Sequence, residues 1–100
     1  MSTIFSVTRI SPSEFHLHGE LDIGTAAIFE EEVTAVMPES GPVTLDLSGL
    51  TFLDSSGTHA IHDAAAALDR GSVRLVGAHG AARRVIEISG FADAPGIEIA

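Results

Sequence analysis

A carboxylate and two hydroxyls stand together in Asp54-Ser55-Ser56-Gly57, between the apolar stretch Thr51-Phe52-Leu53 and an amphipathic run. That is the composition of a helix start. Asp54 or Ser55 can accept a hydrogen bond from the first unpaired backbone N–H groups. A serine there also presents its hydroxyl where the helix dipole favours negative charge. The segment therefore reads first as an N-cap, and more sharply as a phosphorylation or anion site. The two readings are compatible, with Asp54 or Ser55 capping while Ser56 carries the phosphate. A phosphate would add about −1.5 to −2 charges. It would meet attractive N–H groups and repulsion from Asp54 and the surrounding acids.

Other reactive side chains lack a complete constellation. No G-x-S-x-G elbow surrounds either serine, so a serine hydrolase has no support. His16 and His18 share one face of a strand, and His59 and His62 lie one helical turn apart. Each pair supplies two metal ligands where tetrahedral zinc needs three or four. No H-E-x-x-H occurs, and the histidines read as solvated. His59 and His62 point away from the apolar stripe and are expected to flank Ser56, where they could touch a partner. Gly77-Ala78-His79-Gly80 sits between a strand and a helix. It lacks the third glycine of a dinucleotide fingerprint and the Gly-Lys-Ser/Thr of a P-loop. A tight strand-to-helix turn explains it.

The elements around these residues follow from periodicity. Ile4 to Thr8 is rich in β-branched and aromatic residues and reads as a strand. Ser11-Pro12-Ser13 marks a turn. Phe15, Leu17 and Leu21 then alternate with Glu14, His16, His18 and Glu20, which gives one apolar and one wet face. Thr25 is expected to cap a helix whose core side is Ala26, Phe29, Val33, Val36 and Met37. Pro38 and Gly41-Pro42 end it. Val43, Leu45 and Leu47 form a third strand, which Ser48-Gly49 is expected to break. The helix after Ser56 carries Ala60, Ile61, Ala64, Ala65 and Leu68, with Gly71 as its stop. Val73 to Val76 is a fourth strand, Ala81 to Ser89 a third helix ending at Gly90, and Ile97-Glu98-Ile99 an edge strand. The order β-β-α-β-α-β-α-β predicts an α/β fold. Its mixed sheet has an opening antiparallel hairpin and right-handed βαβ crossovers. Polar residues at alternate strand positions place the helices mostly on one face.

One hundred residues are expected to form a single domain, residues 1–100, around one core. No run approaches the roughly 20 apolar residues of a membrane span. Met1 to Phe5 has no basic or apolar leader pattern, and there are no cysteines. Together these point to a cytoplasmic protein without membrane insertion. Fourteen acids face five arginines, with no lysine. Residues 1–69 hold eleven acids and one arginine, while residues 70–100 hold three acids and four arginines. Such an acidic chain repels phosphate backbones, so nucleic acid is disfavoured as a partner. A basic protein partner is permitted, and the acidic excess would steer it in a salt-dependent way.

Two segments in this order carry a resemblance. Gly19-Glu20-Leu21-Asp22 followed by Thr25-Ala26 resembles the first motif of the STAS domain, the fold of bacterial anti-sigma factor antagonists. Leu45-Asp46-Leu47-Ser48-Gly49, then Phe52-Leu53-Asp54-Ser55-Ser56-Gly57, resembles the second. Ser89-Gly90-Phe91 is similar to the family's late segment. The resemblance implies that Ser56 is the phosphoacceptor of an anti-sigma factor serine kinase. It implies that the unphosphorylated protein binds that kinase and frees a sigma factor, regulating transcription, and that a phosphatase acting on phosphoserine restores binding. Asp22 would lie near the phosphoacceptor. Asp54, Ser55, Ser56, Gly57, His59 and His62 would line the partner surface. The domain would be substrate and switch rather than enzyme, with no cofactor and no metal. The alternative is a non-phosphorylated STAS adaptor subunit of a lipid or solute transporter. Thr58 departs from the apolar residue usual after the glycine. The sequence also stops at Ala100, where many relatives continue into a C-terminal helix.

Overall fold

The structure, a computed structural model, describes residues 4–100. Met1 to Thr3, part of the segment read for a leader, lie outside the described residues. A five-stranded sheet runs in the order β1 (Phe5–Ser11), β2 (Glu14–Leu21), β3 (Val43–Leu53), β4 (Val73–Val76), β5 (Ile97–Ile99). The first pair is antiparallel and the remaining three are parallel. Helices α1 (Ala26–Phe29), α2 (Ser55–Ala67) and α3 (Gly80–Ile88) occupy the crossovers. Because each parallel strand lies beside its predecessor, every right-handed crossover turns the same way. That stacks the helices on one face, and the opposite face keeps its polar side chains.

The core sits between sheet and helices. Phe15, Leu17 and Leu21 of β2 face Val43, Leu45, Leu47, Leu50 and Leu53 of β3, all buried. Ile61 and Ala64 of α2, Ala82 and Ile86 of α3, and Phe29 and Val33 close it from the helix side. The period-two pattern in β2 thus sorts its residues as the sequence predicts.

Three local expectations need correction. Ser48-Gly49 does not break β3, which runs unbroken for 11 residues. Pairing with β2 instead slips between His16 and His18 and again between Gly19 and Glu20. At each slip β3 inserts an extra residue, a β-bulge, so buried positions step from Leu47 to Leu50 to Leu53. The bulges shift the alternation instead of ending the strand. Secondly, α1 is α-helical only to Phe29 and continues as a π-helix, Glu30–Thr34. Thirdly, α2 ends at Ala67, where Leu68 turns extended at ψ 133°, so Gly71 lies beyond the stop.

Gly19 is required where it stands. Its φ of +91° suits glycine, and a Cβ there would collide with the backbone carbonyl of Ile4. Gly19 pairs with Phe5 at the open end of the β1–β2 hairpin.

Candidate functional site

The sequence around Ser56 folds locally through its carboxylate. Asp54 is extended, with φ −124° and ψ −170°, and its Oδ1 accepts hydrogen bonds from Ser56 N at 2.9 Å and Gly57 N at 3.1 Å. The cap is therefore Asp54, and Ser55 is the first helical residue. Thr58 donates its hydroxyl to Ser55 O at 2.9 Å and is 8% exposed. The polar residue at the departing position is satisfied by the helix itself. Among the described residues, neither the Ser55 nor the Ser56 hydroxyl makes a hydrogen bond within the protein. Among the described residues, no histidine hydrogen-bonds to either serine.

Gly57 fixes how closely α2 approaches the sheet. A Cβ on it would lie 2.6 Å from Leu21 O and 2.5 Å from Leu53 Cδ1. The bare glycine thus lets the first turn of α2 rest on the end of β2. Asp22 follows directly. Its Oδ1 accepts from Gly24 N at 2.9 Å, and its backbone N–H donates to Thr25 Oγ1 at 2.9 Å. Thr25 precedes α1 but does not cap it with its side chain. Its hydroxyl is committed to the turn, where it donates to Glu20 O at 2.8 Å.

Between α2 and the first helix lies an open cavity of about 550 Å³. Ser55, Ser56, His59, Ala60 and Asp63 line it from α2, and Ala26, Ala27, Phe29, Glu30 and Thr34 line it from the other side. The structure therefore brings Ser55, Ser56 and His59 together. It sends His62 elsewhere: that ring packs edge-on against Phe91, 4.4 Å between centroids. Glu30, Thr34 and Asp63 were not legible as site residues. The available signal was the small residues Ala26, Ala27 and Ala60, which leave space where two helices face each other.

The open sheet face holds the other histidines. His16 Nε2 lies 2.9 Å from Glu14 Oε2 and 3.6 Å from Asp46 Oδ2, and His18 Nε2 lies 3.4 Å from Thr8 Oγ1. Among the described residues, no group of three or more such side chains is placed to hold a metal ion. His79 Nε2 donates to Ser48 O at 2.8 Å, tying the Gly77–Gly80 turn to β3.

Asp46 lies on this same face, paired in register with His16. Hydrogen bonds from the Ser48 side chain and then its backbone N–H hold the Asp46 carboxyl below the usual range, helped by His16 and His18 and opposed by burial. A carboxyl lowered by folding stabilises the protein above its unfolded value of about 4. That contribution is lost as pH falls through the folded value. Asp46→Asn should therefore be less stable at neutral pH and lose less on acidification. Denaturant midpoints from about pH 6 to about pH 2 measure this. Parallel acid limbs for the two proteins would refute it.

Among the described residues no helix is long and apolar enough to cross a membrane. No match was found among curated proteins. Solved structures share the fold, and two of them are forms of one protein. The anti-sigma factor antagonist SpoIIAA in its unphosphorylated form superposes with a TM-score of 0.65 at 18% identity, over 96% of this chain and 87% of that one. SpoIIAA described as a Bacillus cell fate determinant, in the phosphorylated form, gives 0.58 at 18% identity, over 96% and 90%. At that identity the likeness is one of fold. The STAS domain model matches residues 6–99, which takes in the three helices and the five strands except Phe5 of β1. With both motifs seated on one end of this sheet, the chain belongs to the STAS domain family.

Proposed function

We propose that this chain is a phosphorylation-switched anti-sigma factor antagonist. Its unphosphorylated form binds an anti-sigma factor serine kinase in the cytoplasm and frees a sigma factor, and a phosphatase resets it. The observation that carries this reading is the division of labour at α2. Asp54 caps the helix, which leaves the Ser56 hydroxyl unbonded beside an open cavity. A kinase can therefore take Ser56 without dismantling the fold. Ser56 Oγ would attack the γ-phosphorus of the kinase's ATP, with ADP leaving and the hydroxyl proton passing to a base on the kinase. This chain supplies the acceptor and no catalyst.

The switch is electrostatic and local. The two N–H groups that could receive the phosphate already bond to Asp54. Glu30 and Asp63 line the same cavity. A dianion at Ser56 would be surrounded by like charge and costly to desolvate inside an interface. His59 beside Ser56, with Asp22 at the end of β2, would belong to the covered surface.

The test uses purified cognate kinase with ATP. Wild type should be phosphorylated and Ser56→Ala should not. Ser56→Asp should bind the kinase at least tenfold more weakly, about 1.4 kcal/mol. Phosphate incorporated into Ser56→Ala, or equal binding by wild type and Ser56→Asp, would sink the reading.

A further inference from the structure

The turn that joins β2 to α1 holds an apolar side chain out in solvent. Ile23 is 83% exposed, more than any other large hydrophobic among the described residues. Turns usually place Gly, Pro, Asn, Asp or Ser at such positions. A single exposed isoleucine needs no explanation by itself. Its support and its position single this one out.

The polar groups of the turn bond to one another. Thr25 N donates to Asp22 O at 3.1 Å, Gly24 N to Asp22 Oδ1 at 2.9 Å, and Asp22 N to Thr25 Oγ1 at 2.9 Å. Ile23 is thus presented on a pre-organised loop, so little further ordering entropy is lost on binding. The turn also adjoins the phosphoacceptor. Asp54 N donates to Leu21 O at 3.4 Å, and the first turn of α2 rests on Leu21 through Gly57. Ile23 is two residues further on, within about 8 Å along the chain. A protein interface covers about 800 Å² per partner. A patch of that size centred on Ser56 would reach this turn.

We infer that Ile23 is an apolar anchor for the kinase. It enters a hydrophobic pocket on that partner and supplies affinity separate from the phosphate switch. The inference rests on the kinase reading above. The acids around Ser56 can steer an approaching partner, but burial of this isoleucine holds it.

The experiment measures binding and phosphorylation with each purified serine kinase of the anti-sigma type from the source organism. It compares wild type, Ile23→Ser and Ile23→Leu. Serine suits the turn and leaves its hydrogen bonds intact, so the melting temperature should not move. Binding by Ile23→Ser should weaken about tenfold or more, and Ile23→Leu should stay within about threefold of wild type. Phosphorylation should change through KM with kcat preserved, as for a contact made equally in ground and transition states. Wild-type affinity in Ile23→Ser, or a weakening that comes with a lowered melting temperature, overturns the anchor and leaves the kinase reading standing. Failure of every such kinase to bind or phosphorylate wild type overturns both.

Discussion

Phe29→Ala should cost about 3–5 kcal/mol, the range for removing a buried phenylalanine. Phe29 is 0% exposed and lines the cavity beside Ser56. Its helix has little stability of its own, with 4 α-helical residues followed by 5 in π geometry. Segments that short do not persist without tertiary packing. Phe29 and Val33 are its buried residues, and one of the two would be gone. A domain is held by only about 5–15 kcal/mol, so the loss is a large share of the total. The melting temperature should fall by roughly 12 °C or more. Thermal unfolding followed by circular dichroism measures it, and a fall below about 4 °C would contradict the packing described. Kinase binding should weaken as well, because the wall opposite Ser56 would lose its support.

Gly57→Ala sets two effects against each other. Alanine improves helix propensity over glycine by about 1 kcal/mol. Its Cβ would meet the Leu21 carbonyl at 2.6 Å. Leu53 Cδ1 could swing aside, but Leu21 O belongs to a strand paired with β3. The first turn of α2 must therefore lift away from the sheet. Overpacking of this kind costs about 1–3 kcal/mol, and against a fixed carbonyl the upper end applies. We expect a net loss of about 2 kcal/mol, read as a lower urea midpoint. Ser56 sits on the displaced turn, so its phosphorylation should slow too. A stabilised Gly57→Ala would mean that helix propensity wins and the close approach is not required.

Much of this was legible in the chain. Phe15, Leu17 and Leu21 alternate over a short stretch, so burial on one side of β2 follows from the two-residue period alone. The course of β3 was not legible in the same way. Its alternation fails at Ser48-Gly49, and within one strand a failure of period looks like an end. Only the register against β2 shows that the strand takes in extra residues and continues. Thr25 misled for a similar reason. Its position before a helix suggests a cap, but Glu20 O lies within reach of its hydroxyl and the turn claims it.

For the site, the sequence by itself determined what is contiguous. Asp54, Ser55, Ser56 and Gly57 make a capped helix start with a serine to spare, because a cap acts over a few residues of its own chain. The element order likewise determined a mixed sheet with helices on one face, because crossover handedness is a local property of twisted strands. Tertiary structure alone decided what those residues meet. The placing of Glu30 and Thr34 across a cavity from Ser56, the turn of His62 onto Phe91 and the outward projection of Ile23 depend on distances between segments far apart in the chain. Those distances are set by how the helices pack on the sheet, down to a single absent methyl at Gly57.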